Sequence, residues 1–322
     1  MLNKFGGAAA TQSKSCPPNQ IYLTCHFAFV SRDFRIESNH LNLYICRLYL
    51  NMKHLILALI LLLPCISKAQ ETKVSKKKKI TLFTSWGYNR AYFTNSAIHF
   101  TGSDYHFTIR HAQARDRQSP FTFDTYFNPG TLSIPQYDFS IGATLPNHIS
   151  ISIGQDHMKY VVQHGTKIAV DGSIHNGTEF SGDFHNESRI LTEDFLQFEH
   201  TNGLNYVHAQ VSKEKEWFKG RFRYVTMKTD AGIHAGVLIP KSDVKLMHYA
   251  EHDEFHLAGY GVGFKIGMKA ELFRNIYIRL DNKTGFINMP DILTRGTNYK
   301  DRAHQHFGFT EFFYAIGFQC AL

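Results

Sequence analysis

The segment HLAGYGVGFKIGMKAEL, residues 256–272, separates into two faces when alternate positions are read apart. Ala258, Tyr260, Val262, Phe264, Ile266, Met268, Ala270 and Leu272 share one parity, and Gly259, Gly261, Gly263, Lys265, Gly267, Lys269 and Glu271 share the other. A period of two sustained over this length is that of a β-strand. The chain ends on the same pattern, with Phe312, Tyr314, Ile316 and Phe318 alternating with Phe313, Ala315, Gly317 and Gln319. Alternation elsewhere completes a set of eight predicted strands: Lys79–Arg90, Gln136–Leu145, Ile149–Val162, Glu193–Ser212, Gly220–Ile239, His256–Leu272, Asn275–Met289 and His306–Leu322. Parity shifts near Thr201–Gly203 and Asp230–Gly232 predict bulges in two of them.

The connections between these strands sort by length. Pro146–His148, Lys213–Lys219 and Phe273–Arg274 are short; Ala91–Pro135, Gln163–Thr192, Pro240–Phe255 and Pro290–Gln305 are long; the two kinds alternate. Short turns at one end and long loops at the other are the organisation of an outer-membrane barrel. The expected fold class is therefore all-β: an eight-stranded antiparallel transmembrane β-barrel, both chain ends on the periplasmic side. Its apolar faces meet lipid, and its glycine-rich and charged faces fill a narrow lumen. AIHFTGSDYHFTIRHA in the first long connection predicts an extra hairpin above the membrane. Trp86, Tyr88, Tyr92, Tyr126 and Tyr160 are expected in the interfacial aromatic belts.

An exported barrel needs an address. MKHLILALILLLPCISKAQ, residues 52–70, has a short basic start, an apolar run from Leu55 to Leu63 and small residues at Ser67 and Ala69. That is a secretory signal, and its apolar run is too short for a spanning helix. The expected organisation is an extension over residues 1–51 ahead of a start at Met52, a cleavable signal peptide over 52–69 and the barrel over 70–322.

Charge changes meaning once this segment is set aside. The formal charge of the whole chain is +8, but from Gln70 onward 28 Lys and Arg face 25 Asp and Glu, a surplus of three. Four of those cations are Lys76–Lys79, so nothing points to nucleic acid. Of five cysteines only Cys320 follows the signal, which excludes an intrachain disulfide in the mature chain.

SWGYNRAYFTNSAIHF, SPFTFDTYFNP, ISISIGQDHMKYV, HLAGYGVGFKIG and GFINMPDI resemble stretches of uncharacterised outer-membrane β-barrel proteins of the Bacteroidetes type. At the level of architecture the chain is similar to small barrels of the OmpA and OmpX sort. The resemblance implies location and fold, and it brings no catalytic residues.

The candidate chemistry lies on the inward parity: Asp138, Asp156, Glu199, His208, Arg221, Arg223, Lys265, Lys269, Glu271, Arg279, Asp281 and Glu311. Both signs are present, as a polar network plugging the lumen requires. His248, His252 and His256 are the candidate metal ligands, although their loop carries no helix signal to align them. A lipid A acyl-modifying enzyme is the alternative reading, from Ser181, Ser188, His185, Asp183, His157 and Asp156, and a small pore or metal-uptake module is a third. No spacing supports a catalytic set, so the expectation is a non-enzymatic structural or surface-interaction barrel without a cofactor. Its partners are outer-membrane lipid and lipopolysaccharide, the barrel-assembly machinery, and an extracellular ligand reached through loops 91–135 and 163–192.

Overall fold

A computed structural model describes residues 79–219, 225–249, 251–295 and 300–322. The extension, the signal segment, Lys76–Lys78, Arg221 and Arg223 lie outside the described residues. No helix among the described residues is long and apolar enough to cross a membrane, which says nothing about strands.

The strands are β1 (Thr81–Phe93), β2 (Ser96–Thr101), β3 (Tyr105–Ala112), β4 (Ala114–Arg115), β5 (Tyr137–Thr144), β6 (Ile149–Val162), β7 (Lys167–Ile174), β8 (Gly182–Ile190), β9 (Leu196–Lys219), β10 (Val225–Leu238), β11 (Lys241–Leu246), β12 (His252–Phe255), β13 (Gly259–Leu272), β14 (Ile276–Leu293) and β15 (Arg302–Ala321). One short helix, α1 (Phe123–Phe127), precedes β5. All fifteen strands belong to one antiparallel sheet. The sequence reading of eight strands is corrected on this point: the long connections carry strands of their own.

Within the sheet, β1, β5, β6, β9, β10, β13, β14 and β15 pair in that order, and β15 pairs back to β1. The sheet thus closes on itself. The closure is staggered. Partners followed from Leu82 run through Ala143, Ile151, Val211, Ile233, Phe264, Thr284 and Thr310 and return to β1 at Tyr92, ten residues along. Such a stagger is what strands tilted to a barrel axis produce.

The two parities of the ring strands have opposite fates. Ile153, Ile233, Phe264, Ile266, Leu280, Tyr314 and Ile316 are more than half exposed, while Lys265, Asp156 and Glu311 are 1% exposed or less. The ring is greasy outside and charged inside.

Beyond the long-connection end the sheet splays into a cap. The upper part of β15, Arg302–His306, leaves β1 and pairs with β2, which leads to β3, β7 and β8. On the other side, β9 from Leu196 to Glu199 pairs with β11, and β11 with β12. Ile98, Phe100, Phe107, Tyr160, Phe198 and Phe307 are buried between these layers in one apolar cluster. The extra hairpin read from AIHFTGSDYHFTIRHA is β2–β3, seated in this cap.

One local expectation holds and two change. The bulge near Thr201–Gly203 is present: the β6–β9 register slips there, and Gly203 adopts φ +117°, which favours glycine. The bulge expected near Asp230–Gly232 is instead at Met227–Lys228, opposite Trp217, because Lys213–Lys219 continues β9 rather than forming a turn. Tyr160, expected in an aromatic belt, is fully buried in the cap against Phe307, while Tyr92 is 60% exposed.

Candidate functional site

The interior of the ring is built by strand register and given room by glycine. A Cβ on Gly267 would lie 2.0 Å from an Asp281 carboxylate oxygen, and one on Gly154 would lie 2.8 Å from Cε1 of His208. The glycine parity of β13 and β6 is therefore the space that neighbouring charged side chains occupy.

Two ion clusters fill the space. The first lies toward the short-turn end. Lys228 meets Glu271 at 2.6 Å and Glu214 at 3.6 Å; Lys269 meets Glu214 at 2.8 Å and Glu271 at 3.3 Å. Arg279 meets Asp281 at 2.6 Å and Asp230 at 3.4 Å, and Lys265 bridges Asp230 and Asp281. Four cations face four carboxylates. Ion pairs removed from water hold together only when each charge finds its partner, and here each does.

The second cluster is unbalanced. Lys283 Nζ lies 2.6 and 2.7 Å from the two carboxylate oxygens of Asp156, and His208 Nε2 lies 3.1 Å from Asp156 Oδ1. Asp138 stands directly opposite Asp156 across β5–β6, 3.9 Å from Lys283. Oxygen atoms of Asp138, Asp156 and Glu311 all lie within 4.8 Å of one another. Three carboxylates thus face one lysine. A cluster of this kind can share protons between its carboxyl groups or admit a cation.

Apolar residues close the cluster off. The Tyr206 phenol donates to the Gly261 carbonyl at 3.0 Å and lies 2.9 Å from Nδ1 of His234. Tyr206 and His234 each pack against Phe309, and the buried cap lies beyond.

Of the residues singled out from sequence, Asp138, Asp156, His208, Lys265, Lys269, Glu271, Arg279, Asp281 and Glu311 all belong to these clusters. Glu199 does not. The bulge at Gly203 turns its part of β9 over, and Glu199 pairs with Arg117 at 2.8 Å under the first long connection. Lys283, Glu214, Lys228, Asp230 and His234 were missed. Lys283 shares the polar parity of Arg279 and Asp281. Glu214 lies in a segment that the sequence predicts as a turn, and Asp230 in one that it predicts as a bulge.

The candidate metal histidines are not brought together. His248 lies 3.2 Å from Glu179, Nδ1 of His252 lies 3.1 Å from the Ser242 carbonyl, and His256 lies 2.8 Å from Asp291. Three separate partners hold three separate rings. Nor does Ser181 meet a base. Ser181 donates to Asn176 at 2.9 Å, while His157 stacks on Tyr137 and lies 2.9 Å from Asn205 Oδ1. Asp156 and His157 point to opposite sides of β6, Asp156 into the ring.

The first long connection returns along the outside of the ring. Thr122 caps α1 through its hydroxyl, which accepts from the Thr125 amide at 3.0 Å. The Tyr88 phenol on the outward face of β1 donates to the Tyr126 carbonyl. Trp86 stacks on Tyr137 with ring centres 4.6 Å apart. Phe121, Phe123 and Phe127 remain exposed beside these outward rings.

No known family model matches the chain, and no curated protein matches it in sequence. Among solved structures it is similar to Ail, the attachment invasion locus protein of Yersinia pestis, solved with the heparin analogue sucrose octasulfate: 7% identity, 75% of this chain and 99% of that one, TM-score 0.30. It is also similar to the outer membrane protein OprG of Pseudomonas aeruginosa, at 6% identity over 74% and 95% of the two chains with TM-score 0.31. For outer membrane protein AlkL in lipid bilayers the values are 8%, 79% and 96%, with TM-score 0.34. Likeness of this degree carries no argument about activity.

Proposed function

We propose that the chain is a bacterial outer-membrane β-barrel whose eight ring strands cross the bilayer, whose interior is plugged, and whose cap presents an extracellular interaction surface. The observation that supports this most is the inversion of the ring: an exposed apolar wall around a buried, ion-paired interior. A protein folded in water places its charges outside, whereas a bilayer rewards the reverse. Eight strands with a stagger of ten residues give a tilt of about 41° from ordinary strand spacing and rise, within the range of membrane barrels.

The plug reading follows from the same geometry. Ion pairs span the lumen, and Tyr206, Phe309 and the apolar cap close it above, so the barrel carries no continuous water path. The cap then acts as a rigid platform for the exposed edge strands β8 and β12, where a partner is met from outside.

Fractionation and heat-modifiable gel migration test the barrel. The expected result is outer-membrane partition and a folded band that shifts on boiling; a soluble, unshifted protein would sink the reading. Planar-bilayer recording tests the plug, with no stable large conductance steps expected from the purified protein.

A further inference from the structure

The outward face of the cap sheet carries a row of histidines the lumen does not use. His99 on β2 lies directly opposite His304 on β15, with ring centres 5.8 Å apart. His306, two residues along β15 on the same face, has its ring 6.1 Å from that of His304. Two imidazoles on one tetrahedral ion, with metal–nitrogen bonds of about 2.0–2.1 Å, place their ring centres roughly 5–6 Å apart. The cross-strand pair already stands near that separation, and the sheet backbone fixes it.

One nitrogen of each ring in the pair is held by a neighbouring strand. His99 Nδ1 lies 2.7 Å from the Thr108 hydroxyl on β3, which directs Nε2 away from β3. His304 Nε2 lies 3.2 Å from Asn288 Oδ1 on β14, which leaves Nδ1 for a ligand. A polar contact on the second nitrogen is how metal-binding histidines are held in one orientation and tautomer.

The charged neighbours of the row stand on the adjoining strands. Arg110 and His106 come from β3, and Asp171 on β7 takes the Arg110 charge at 3.3 Å. Among the described residues no carboxylate is shown in contact with the pair, so the donor set is nitrogen, which suits borderline transition metals rather than calcium or magnesium.

We propose that His99 and His304 form a surface site on the cap for a divalent transition-metal ion such as zinc, with the adjacent His306 ring turning in as a third donor. The site is separate from the carboxylate cluster in the ring and does not depend on whether that interior conducts.

The test is isothermal titration of the full chain, purified in detergent micelles without a histidine tag, with zinc chloride at pH 7.5. One tight site is expected. His99→Ala and His304→Ala should each abolish or strongly weaken it, and Thr108→Val should weaken it about tenfold as an orienting contact. His106→Ala, one strand away, should retain it. Binding should vanish near pH 5 as the imidazoles protonate. Heat-modifiable migration of each variant reports folding, so a collapsed variant is not mistaken for a lost ligand. A flat wild-type titration, or full binding in the His99→Ala/His304→Ala double variant, overturns the proposal.

Discussion

Lys283 on β14 and Asp156 on β6 meet at 2.6 Å although their strands lie on opposite sides of the ring, four pairings apart in either direction. The pair therefore spans the interior rather than running along its wall. Lys283 is also the only lysine facing Asp138, Asp156 and Glu311 among the described residues. Lys283→Met should cost about 3–5 kcal/mol, because it strands buried carboxylates. Adding Asp156→Leu should recover part of the loss. Urea unfolding in micelles, followed by gel migration, gives both values; equal midpoints for wild type and Lys283→Met would remove the pair from the account.

Much of this interior was legible in the sequence. Strand parity assigns Lys265, Lys269, Arg279 and Asp281 to one face without any knowledge of the fold, because a side-chain period of two is a local property. The same parity failed wherever the strand slipped. Glu199 changed sides because the bulge at Gly203 inserts residues that no count of alternation locates reliably. Glu214 escapes the pattern because Lys213–Lys219, rich in charge, reads as a turn while the strand β9 continues through it. The cap was half legible: its hairpin shows in the pattern of residues 97–112, but its pairing with β15 is a long-range choice that local pattern does not encode.

Gly267 is a sharp test of how the interior is filled. Its substitution by Ala pushes a methyl to 2.0 Å from Asp281 Oδ1 and 2.8 Å from Asp230 Oδ1, the two acids that hold Arg279 and Lys265. The expected cost is about 1–3 kcal/mol from overpacking, with loss of the folded band at lower urea. Ala at Gly177, where nothing approaches within 4 Å, provides the contrast, although its φ of +72° brings backbone strain of its own. A Gly267→Ala protein as stable as wild type would mean the interior is looser than its distances indicate.

Asp243 predicts a pH dependence confined to the cap. It lies directly opposite Glu199 on one side and Asp253 on the other. Those neighbours have cations of their own, Arg117 and Lys241, while Asp243 has an amide from Gln197 at 3.3 Å. Burial first, then Glu251, Glu199 and Asp253, push its carboxyl up from 3.8 to about 6. The folded state therefore binds this proton more tightly than the unfolded chain. The associated stability is full below pH 3.8 and is lost as pH rises through about 6. Limited proteolysis of the β11–β12 hairpin should accelerate between about pH 4 and 6. Asp243→Asn should flatten that profile, and an unchanged profile would assign the dependence elsewhere.

Phe264 and Lys265 are neighbours in sequence, and the barrel reading gives them opposite requirements. Phe264 is 53% exposed on the outer wall, and Lys265 is 1% exposed inside. In water an exposed Phe is replaced by Arg at little cost, because the charge stays solvated. In a bilayer the same change at mid-depth costs about 2–4 kcal/mol, falling to about 0–1 kcal/mol near the interface. Phe264 sits midway along the apolar run of β13, and Tyr260 sits at its long-connection end, where β13 begins. Phe264→Arg should therefore lower the folding midpoint in lipid vesicles far more than Tyr260→Arg does. Both substitutions should be nearly silent if the wall faces solvent. The comparison isolates depth, since strand, face and exposure are matched and both side chains are aromatic, and a depth-independent result would show that this greasy wall is not a lipid-facing one.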